Sequence, residues 1–213
     1  LPGPYAARPY RGPSDHAAMV SILTEYREHA GTSERPTVEQ FGVTYANLTN
    51  CDPATDIVVV ETTAGEPVGY ARTSWEDIEG GGRDCIVFGP VRPAHLAEPL
   101  VLAMVAAQEA HLRPKASDVA TAQFRAYAPH PGPGLTATAE SAWLESVGYR
   151  AIRFEASLVR PDLDDIPDLP LPDGVEVRPV TPKMVRPIWE AHHEAFRGEW
   201  NFHEATESEL QEM

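Results

Sequence analysis

Lysine, cysteine and long apolar stretches are all scarce in this chain, and each scarcity closes off a class of function. Two of its 17 basic residues are lysines, Lys115 and Lys183, and 32 acidic residues leave a formal net charge of −15. Phosphate backbones are held by a basic face whose binding releases counterions, so a balance this acidic argues against a nucleic-acid partner. Two cysteines, Cys51 and Cys85, in 213 residues do not make a disulfide framework, and reduced thiols in a cytoplasmic protein are the expectation. The longest apolar run, Leu100 to Ala107, falls far below the ~20 residues of a membrane-spanning helix, so a soluble protein without a membrane partner is expected. No basic-then-apolar leader opens the chain. Its first residue is Leu1 rather than methionine, which suggests trimming or an incomplete chain.

What is present reads as globular. Hydrophobic residues make up 42% of the chain, and its length exceeds one domain of roughly 100–150 residues without reaching two. The acid excess keeps such a protein soluble and also draws amines toward it.

Read in order, Tyr5–Tyr10 is a strand, and a helix begun at Ser14 or Asp15 sets Met19, Val20, Leu23 and Tyr26 on one face. Thr37 and Gln40 form a capping box, hydroxyl and amide each satisfying the other's backbone donor, ahead of a helix through Phe41, Tyr45 and Leu48. Asp56–Thr62 and Val68–Asp77 flank the turn sequence TAGEP as an antiparallel hairpin. A Gly80–Gly82 loop then leads to the strand DCIVFGPV, a helix over 97–112, the strand DVATAQFRAYA, a short helix ended by Gly148, and a last strand in YRAIRFEASLV. The order β α α β β β α β α β predicts an α/β (α+β) fold, a mixed sheet with helices on both faces.

The Pro/Asp-rich stretch 161–173 reads as a linker between a domain over 1–160 and a second unit over 174–213. The second unit repeats the first one's opening. ARPY at 7–10 returns as VRPV at 177–180, and the Thr37/Gln40 box returns as Thr206/Glu209, offsets of 170 and 169. Two markers at nearly one spacing point to duplication. The second copy is expected to hold a first strand and two helices, with Ile188, Trp189 and Phe196 on an apolar face.

A strand running into a helix N-terminus, as at GPVRPAHLAEPL over residues 89–100, is suited to an anion, because first-turn N–H groups lack partners and the helix dipole is positive there. With that junction, ARPYRGPSD, WLESVGYRAIRFEASLV and LPDGVEVRPV, the chain resembles the GNAT N-acetyltransferases, in particular tandem members of the mycothiol synthase type. The resemblance covers essentially the whole chain. It implies a mostly antiparallel central sheet with helices on both faces, acetyl-CoA as cosubstrate, and a cofactor site at Phe88, Gly89, Val91, Arg92, Leu96 and Ala97. The pantetheine arm would pair along the strand edge, and the diphosphate would rest on the helix N-terminus. It further implies a small-molecule or peptide amine as acceptor, packing of the two copies against each other, and a homodimer as an expected assembly.

Two departures from the family pattern stand out. The family's Arg/Gln-x-x-Gly-x-Gly/Ala loop is about four residues short here, its arginine and first glycine missing where His95 meets Leu96. Either the loop is truly deleted or residues of a mobile loop are absent from the sequence. And where many members carry the tyrosine that protonates the leaving thiolate, this chain has Leu144. For a general base the central strands offer Glu76, Asp77 or Asp84, though each reads more readily as a solvated loop or strand-end charge. Pro90 has no N–H, so Val91 is the expected backbone donor to the oxyanion.

No metal site is expected. His192 and His193 are adjacent on a helix and point apart, His203 and Glu194 add no thiol, and His130 lies in a Pro/Gly loop. Cys85 reads as a buried inert thiol, Ser141 and Asp118 have no histidine placed to complete a triad, and the GEP and GGG stretches are turns. The expected activity is acetyl-CoA-dependent N-acetyl transfer by direct attack on the thioester. The alternative is a catalytically degenerate copy with a CoA-binding or purely structural role.

Overall fold

Among the described residues of the computed structural model, five strands lie across one sheet in chain order. The structure describes residues 1–213 except 33, 79, 80, 130–137, 157, 159, 200, 201, 203–205, 208, 209 and 211–213. Strand β1 (Tyr5–Pro9) pairs with β2 (Ile57–Thr62), β2 with β3 (Pro67–Ile78), and β3 with β4 (Gly82–Phe88), all antiparallel; β4 pairs with β5 (Ala122–Ala126) in parallel. The parallel step requires a crossover, and helix α4 (Glu98–Ser117) provides it. The expected mixed, mostly antiparallel sheet with helices on both faces is therefore the one observed.

Alternation along β2 divides the core. Ile57 and Val59 pack with Met19, Ile22 and Leu23 of α1 (Pro13–His29), Phe41 and Tyr45 of α2 (Val38–Ala46), and Tyr70 of β3. On the other face Val60 joins Val68, Ala71, Val91 and α4 residues Leu100 and Met104. Each of these large side chains contributes about 1.5–3 kcal/mol by leaving water. The Thr37/Gln40 capping box forms as expected, opening α2 with both reciprocal bonds. A one-turn helix α3 (Pro53–Asp56) precedes β2, with the Asp52 side chain as its cap.

Arg8 locks β1 to its surroundings. Its guanidinium makes a paired contact with Asp15 at 2.8 Å and reaches Glu61 of β2 at 2.6 Å, while Arg11 N–H donates to Asp15 at 2.7 Å. The Arg8 hydrogen bond, ahead of the opposing cost of burial, holds the Asp15 carboxyl below its usual range. A depressed folded-state value contributes stability above the ordinary carboxylate pKa, and that contribution is lost as pH falls through the folded value. We therefore expect Asp15→Asn to be less stable than wild type at neutral pH. The two should converge below roughly pH 4, as followed by urea unfolding across pH.

Two expected strands do not form. Residues 151–156 of YRAIRFEASLV carry no strand, and Ile152 and Phe154 are 54% and 42% exposed. Apolar alternation specifies a face, but a strand also needs a neighbour's ladder, and β5 stays at the sheet edge. VRPV at 177–180 is likewise strandless, with Val177 83% exposed. In the first copy β1 takes its ladder from β2, some fifty residues later; the described residues of 174–213 hold no strand to serve this way. Arg178, the counterpart of Arg8, pairs instead with its exposed neighbour Glu176. Helix α5 (Ala139–Ser146) forms, followed by Gly148 at φ +99°, and α6 (Val185–Phe196) forms beyond the exposed 161–173 stretch. Gly80, His130, His203 and Glu209 lie outside the described residues.

Candidate active site

The parallel pairing of β4 with β5 ends at Val87 opposite Ala126. Beyond it the strands part. Phe88 N–H donates to Gln108 Oε1 of α4 at 2.9 Å, and Gln108 is itself anchored by Nε2 to Met104 O at 3.2 Å. The β3 register resumes three residues later as a single bridge, Gly69 opposite Val91. Tyr70 N–H donates to Pro90 O at 3.2 Å and Arg92 N–H to Val68 O at 2.8 Å. Since 90 and 92 turn their groups toward β3, Val91 between them turns its N–H the other way, to the side from which β5 has departed. That N–H has no hydrogen-bond partner among the described residues. Gly69 allows the approach: a Cβ there would lie 3.1 Å from Pro90 O and 3.3 Å from Val91 Cγ2.

A cleft occupies the parting. Val87, Gly89 and Leu96 line it with Val101, Met104, Val105 and Gln108 from α4, Ala126 at the end of β5 and Tyr127 and Ala128 after it, Tyr26 from α1, and Glu140 and Leu144 from α5. Its volume is about 40 Å³, room for roughly three waters. Leu144, at the position where the family resemblance calls for a tyrosine, is buried and brings no hydroxyl. Two tyrosines line the cleft, Tyr26 and Tyr127; burial first and the Glu140 charge second raise the Tyr26 pKa. Glu140 is 7% exposed, and its Oε1 has no hydrogen-bond partner. The nearest cationic candidate, His29 Nε2, stands 3.9 Å away, outside hydrogen-bond reach.

The junction expected to hold a diphosphate offers little. Pro93–His95 form a 3₁₀ turn, and Leu96 N–H is spent on Pro93 O. In α4 the cap is Ala97 without a side-chain bond, Pro99 has no N–H, and the Leu100 and Val101 amides both turn back to Ala97 O. Ala97 and Glu98 retain their amides, beside the exposed Glu98 carboxylate, which repels an anion. Arg92 faces away from this end: Nε donates to Pro67 O at 3.1 Å, Nη2 to Ser21 Oγ at 3.2 Å, and Nη1 pairs with Glu25 of α1. Phe88 packs edge-on against Tyr70 beneath the Arg72 guanidinium.

The carboxylates considered as bases are engaged in ion pairs. Asp84 is fully buried, 2.9 Å from Arg125 Nη1, and accepts from Gln123 at 2.7 Å; Glu76 accepts from Arg125 Nη2 at 3.2 Å. Asp77 makes a two-point contact with Arg83 at 2.6 and 3.0 Å, which lowers its pKa. Asp84, Glu76 and Arg125 thus form one structural cluster in the paired part of β3–β5, apart from the cleft. Cys85 is fully buried, and burial raises its thiol. Among the described residues no group of three His, Cys, Asp or Glu could hold a metal, and no helix is long and apolar enough to cross a membrane.

The sequence reading missed Tyr26, Gln108 and Glu140 as site residues. Gln108 left a signal, a polar residue breaking the buried α4 row Leu100, Met104, Leu112 at four-residue spacing. Glu140 left none, since an acid in a first helical turn is commonplace.

No protein-family model matches the chain, and no curated protein does. Solved structures do. A GCN5-related N-acetyltransferase from Sphaerobacter thermophilus superposes with a TM-score of 0.61 at 22% identity over 92% of this chain; this chain spans 59% of that one. The GCN5-related glucosamine N-acetyltransferase region of a fungal multi-domain β-N-acetylglucosaminidase gives 0.51 at 13% identity, over 70% of this chain and 17% of that one. A transcriptional regulator from Bacillus halodurans gives 0.51 at 12%, over 73% and 99% of the two chains. These likenesses establish a GNAT-type fold.

Proposed function

We propose that this chain carries an acyl-CoA-dependent N-acyltransferase domain acting on a small-molecule or peptide amine, the first of two tandem copies divided at 161–173. The observation that carries the reading is the Val91 N–H, without a hydrogen-bond partner among the described residues and directed toward the gap between β4 and β5. An amine lone pair attacks the thioester carbonyl, the C–N bond forms as C–S breaks, and the nitrogen proton leaves to base while the thiolate takes one up. Negative charge gathers on the carbonyl oxygen, where a fixed backbone donor outside water is worth most. The test is product formation from acetyl-CoA and a panel of amines, read as free thiol and as the mass of the acetylated amine. Transfer dependent on the protein supports the reading. No product with any amine, together with no thermal stabilisation by saturating acetyl-CoA, overturns it.

One observation favours a second reading, a copy that binds the thioester without turning it over: the α4 N-terminus keeps two amides beside a carboxylate. A seat that poor adds little affinity for phosphates. Acetyl-CoA and phosphate-free acetyl-pantetheine are therefore expected to bind within about tenfold of each other by calorimetry. A hundredfold advantage for acetyl-CoA would show a working diphosphate seat.

A further inference from the structure

Each arginine of the sheet but one holds a carboxylate. Arg8 of β1 pairs with Asp15 and Glu61, Arg83 of β4 with Asp77, and Arg125 of β5 with Asp84 and Glu76. Arg72, in the middle of β3, makes no ion pair and no hydrogen bond among the described residues. It lies opposite Ile57 of β2 and Phe88 of β4, and its guanidinium carbon stands 5.5 Å from the centre of the Tyr45 ring and 5.6 Å from that of Phe88. Ring faces balance the charge of a guanidinium without accepting its in-plane N–H groups, so the donor fork is left over.

Two further donors beside it are also unused. The Tyr45 and Tyr70 hydroxyls are buried without a hydrogen-bond partner among the described residues, and the Tyr70 side chain is fully enclosed. Tyr70 stands two positions before Arg72 and shares its face of β3. Burial raises the pKa of both phenols and of the half-buried Cys51 thiol, and in all three the Arg72 charge works against it. What the group lacks is an acceptor. The carboxylates whose charge reaches Cys51 are engaged: Asp56 accepts from Asp52 N–H and meets His111, each at 2.6 Å, and Asp52 accepts from Ala54 N–H at 2.9 Å. Their charges, in a chain of net −15, favour one negative charge on a ligand over two.

We propose that Tyr45, Tyr70 and Arg72 form a monocarboxylate site on the side of the sheet covered by α1 and α2. The guanidinium takes the two carboxylate oxygens as a fork, and the phenols donate to their remaining lone pairs. The rings of Tyr45 and Phe88 suit a flat body behind the carboxylate. Tyr45, Tyr70 and Arg72 do not line the β4–β5 cleft, so the site goes beyond the acyl-transfer reading: it needs neither acetyl-CoA nor turnover to fill.

The experiment is an NMR titration of the full chain with benzoate, with benzamide as its uncharged counterpart and with inorganic phosphate, all without acetyl-CoA. Wild type should bind benzoate about tenfold to a hundredfold more tightly than benzamide, the range of a charge-assisted hydrogen bond, with amide shifts centred on Tyr70 and Arg72. Arg72→Met, which keeps an unbranched stem and removes the fork, should abolish that preference. Tyr70→Phe should lower benzoate affinity about threefold to tenfold while the unfolding midpoint holds or rises, since the hydroxyl it removes has no partner in the free protein. This second variant gives the answer even if Arg72→Met does not fold. Benzoate bound no more tightly than benzamide, or held equally by wild type and either variant, overturns the proposal. So does phosphate binding ahead of benzoate, or shifts confined to the β4–β5 cleft.

Discussion

Arg125→Met is expected to cost about 3–5 kcal/mol of folding stability, the scale for removing one partner of a buried ion pair. Asp84 has no exposed surface, and Arg125 meets it at 2.9 Å while also holding Glu76 at 3.2 Å. Without the guanidinium, the charge on Asp84 retains the Gln123 amide at 2.7 Å but loses its counter-ion. Its options are to stay ionised in a poor solvent or to take up a proton, and both draw on stability. The double variant Asp84→Asn/Arg125→Met should recover much of the loss, because the remaining amide pairs with neutral neighbours. Urea unfolding of the four-member set reads the coupling directly. A single variant within about 1 kcal/mol of wild type would mean that water screens this pair as it does a surface one. The cluster ties β5 to β4 and β3 at Asp84, Arg125 and Glu76, within the stretch where β4 and β5 are in parallel register.

Local chemistry carried most of the fold into view. The Thr37/Gln40 box, the TAGEP turn and the Gly148 stop are each decided by residues a few positions apart, and each is where the sequence places it. Helix α3 was equally local, Asp52 capping and Pro53 in its first turn, yet four residues are too few to show a period. The strands expected in YRAIRFEASLV and VRPV failed for a non-local reason: alternation is written in the strand itself, while the edge it pairs with is written elsewhere. The cleft follows the same division. Its β4–α4 side was readable from the GPVRPAHLAEPL junction. Tyr26 and Glu140 face it from helices more than a hundred residues apart in the chain, and no spacing within either helix announces the meeting.

Val91→Pro separates the fold from the chemistry, because it deletes a donor that the fold does not use. Proline in an interior strand normally forfeits a ladder bond, but the Val91 N–H makes none among the described residues. The residue before a proline must be extended, and Pro90 already is held so by its carbonyl bond to Tyr70 N–H. The backbone therefore accepts the ring, and the unfolding midpoint should fall only by what the lost Val91 methyls cost the core, the loss that Val91→Ala measures. If this amide stabilises the developing oxyanion, turnover should fall about 10²–10³-fold, with the loss in kcat rather than KM, since the interaction strengthens as charge forms. Val91→Ala is the control: it keeps the N–H, so kcat is retained, while it opens a hole in the core shared with Leu100 and Met104 and lowers stability by roughly 1–3 kcal/mol. A Val91→Pro protein that turns over at the wild-type rate would remove this amide from the mechanism, whatever the fold resembles.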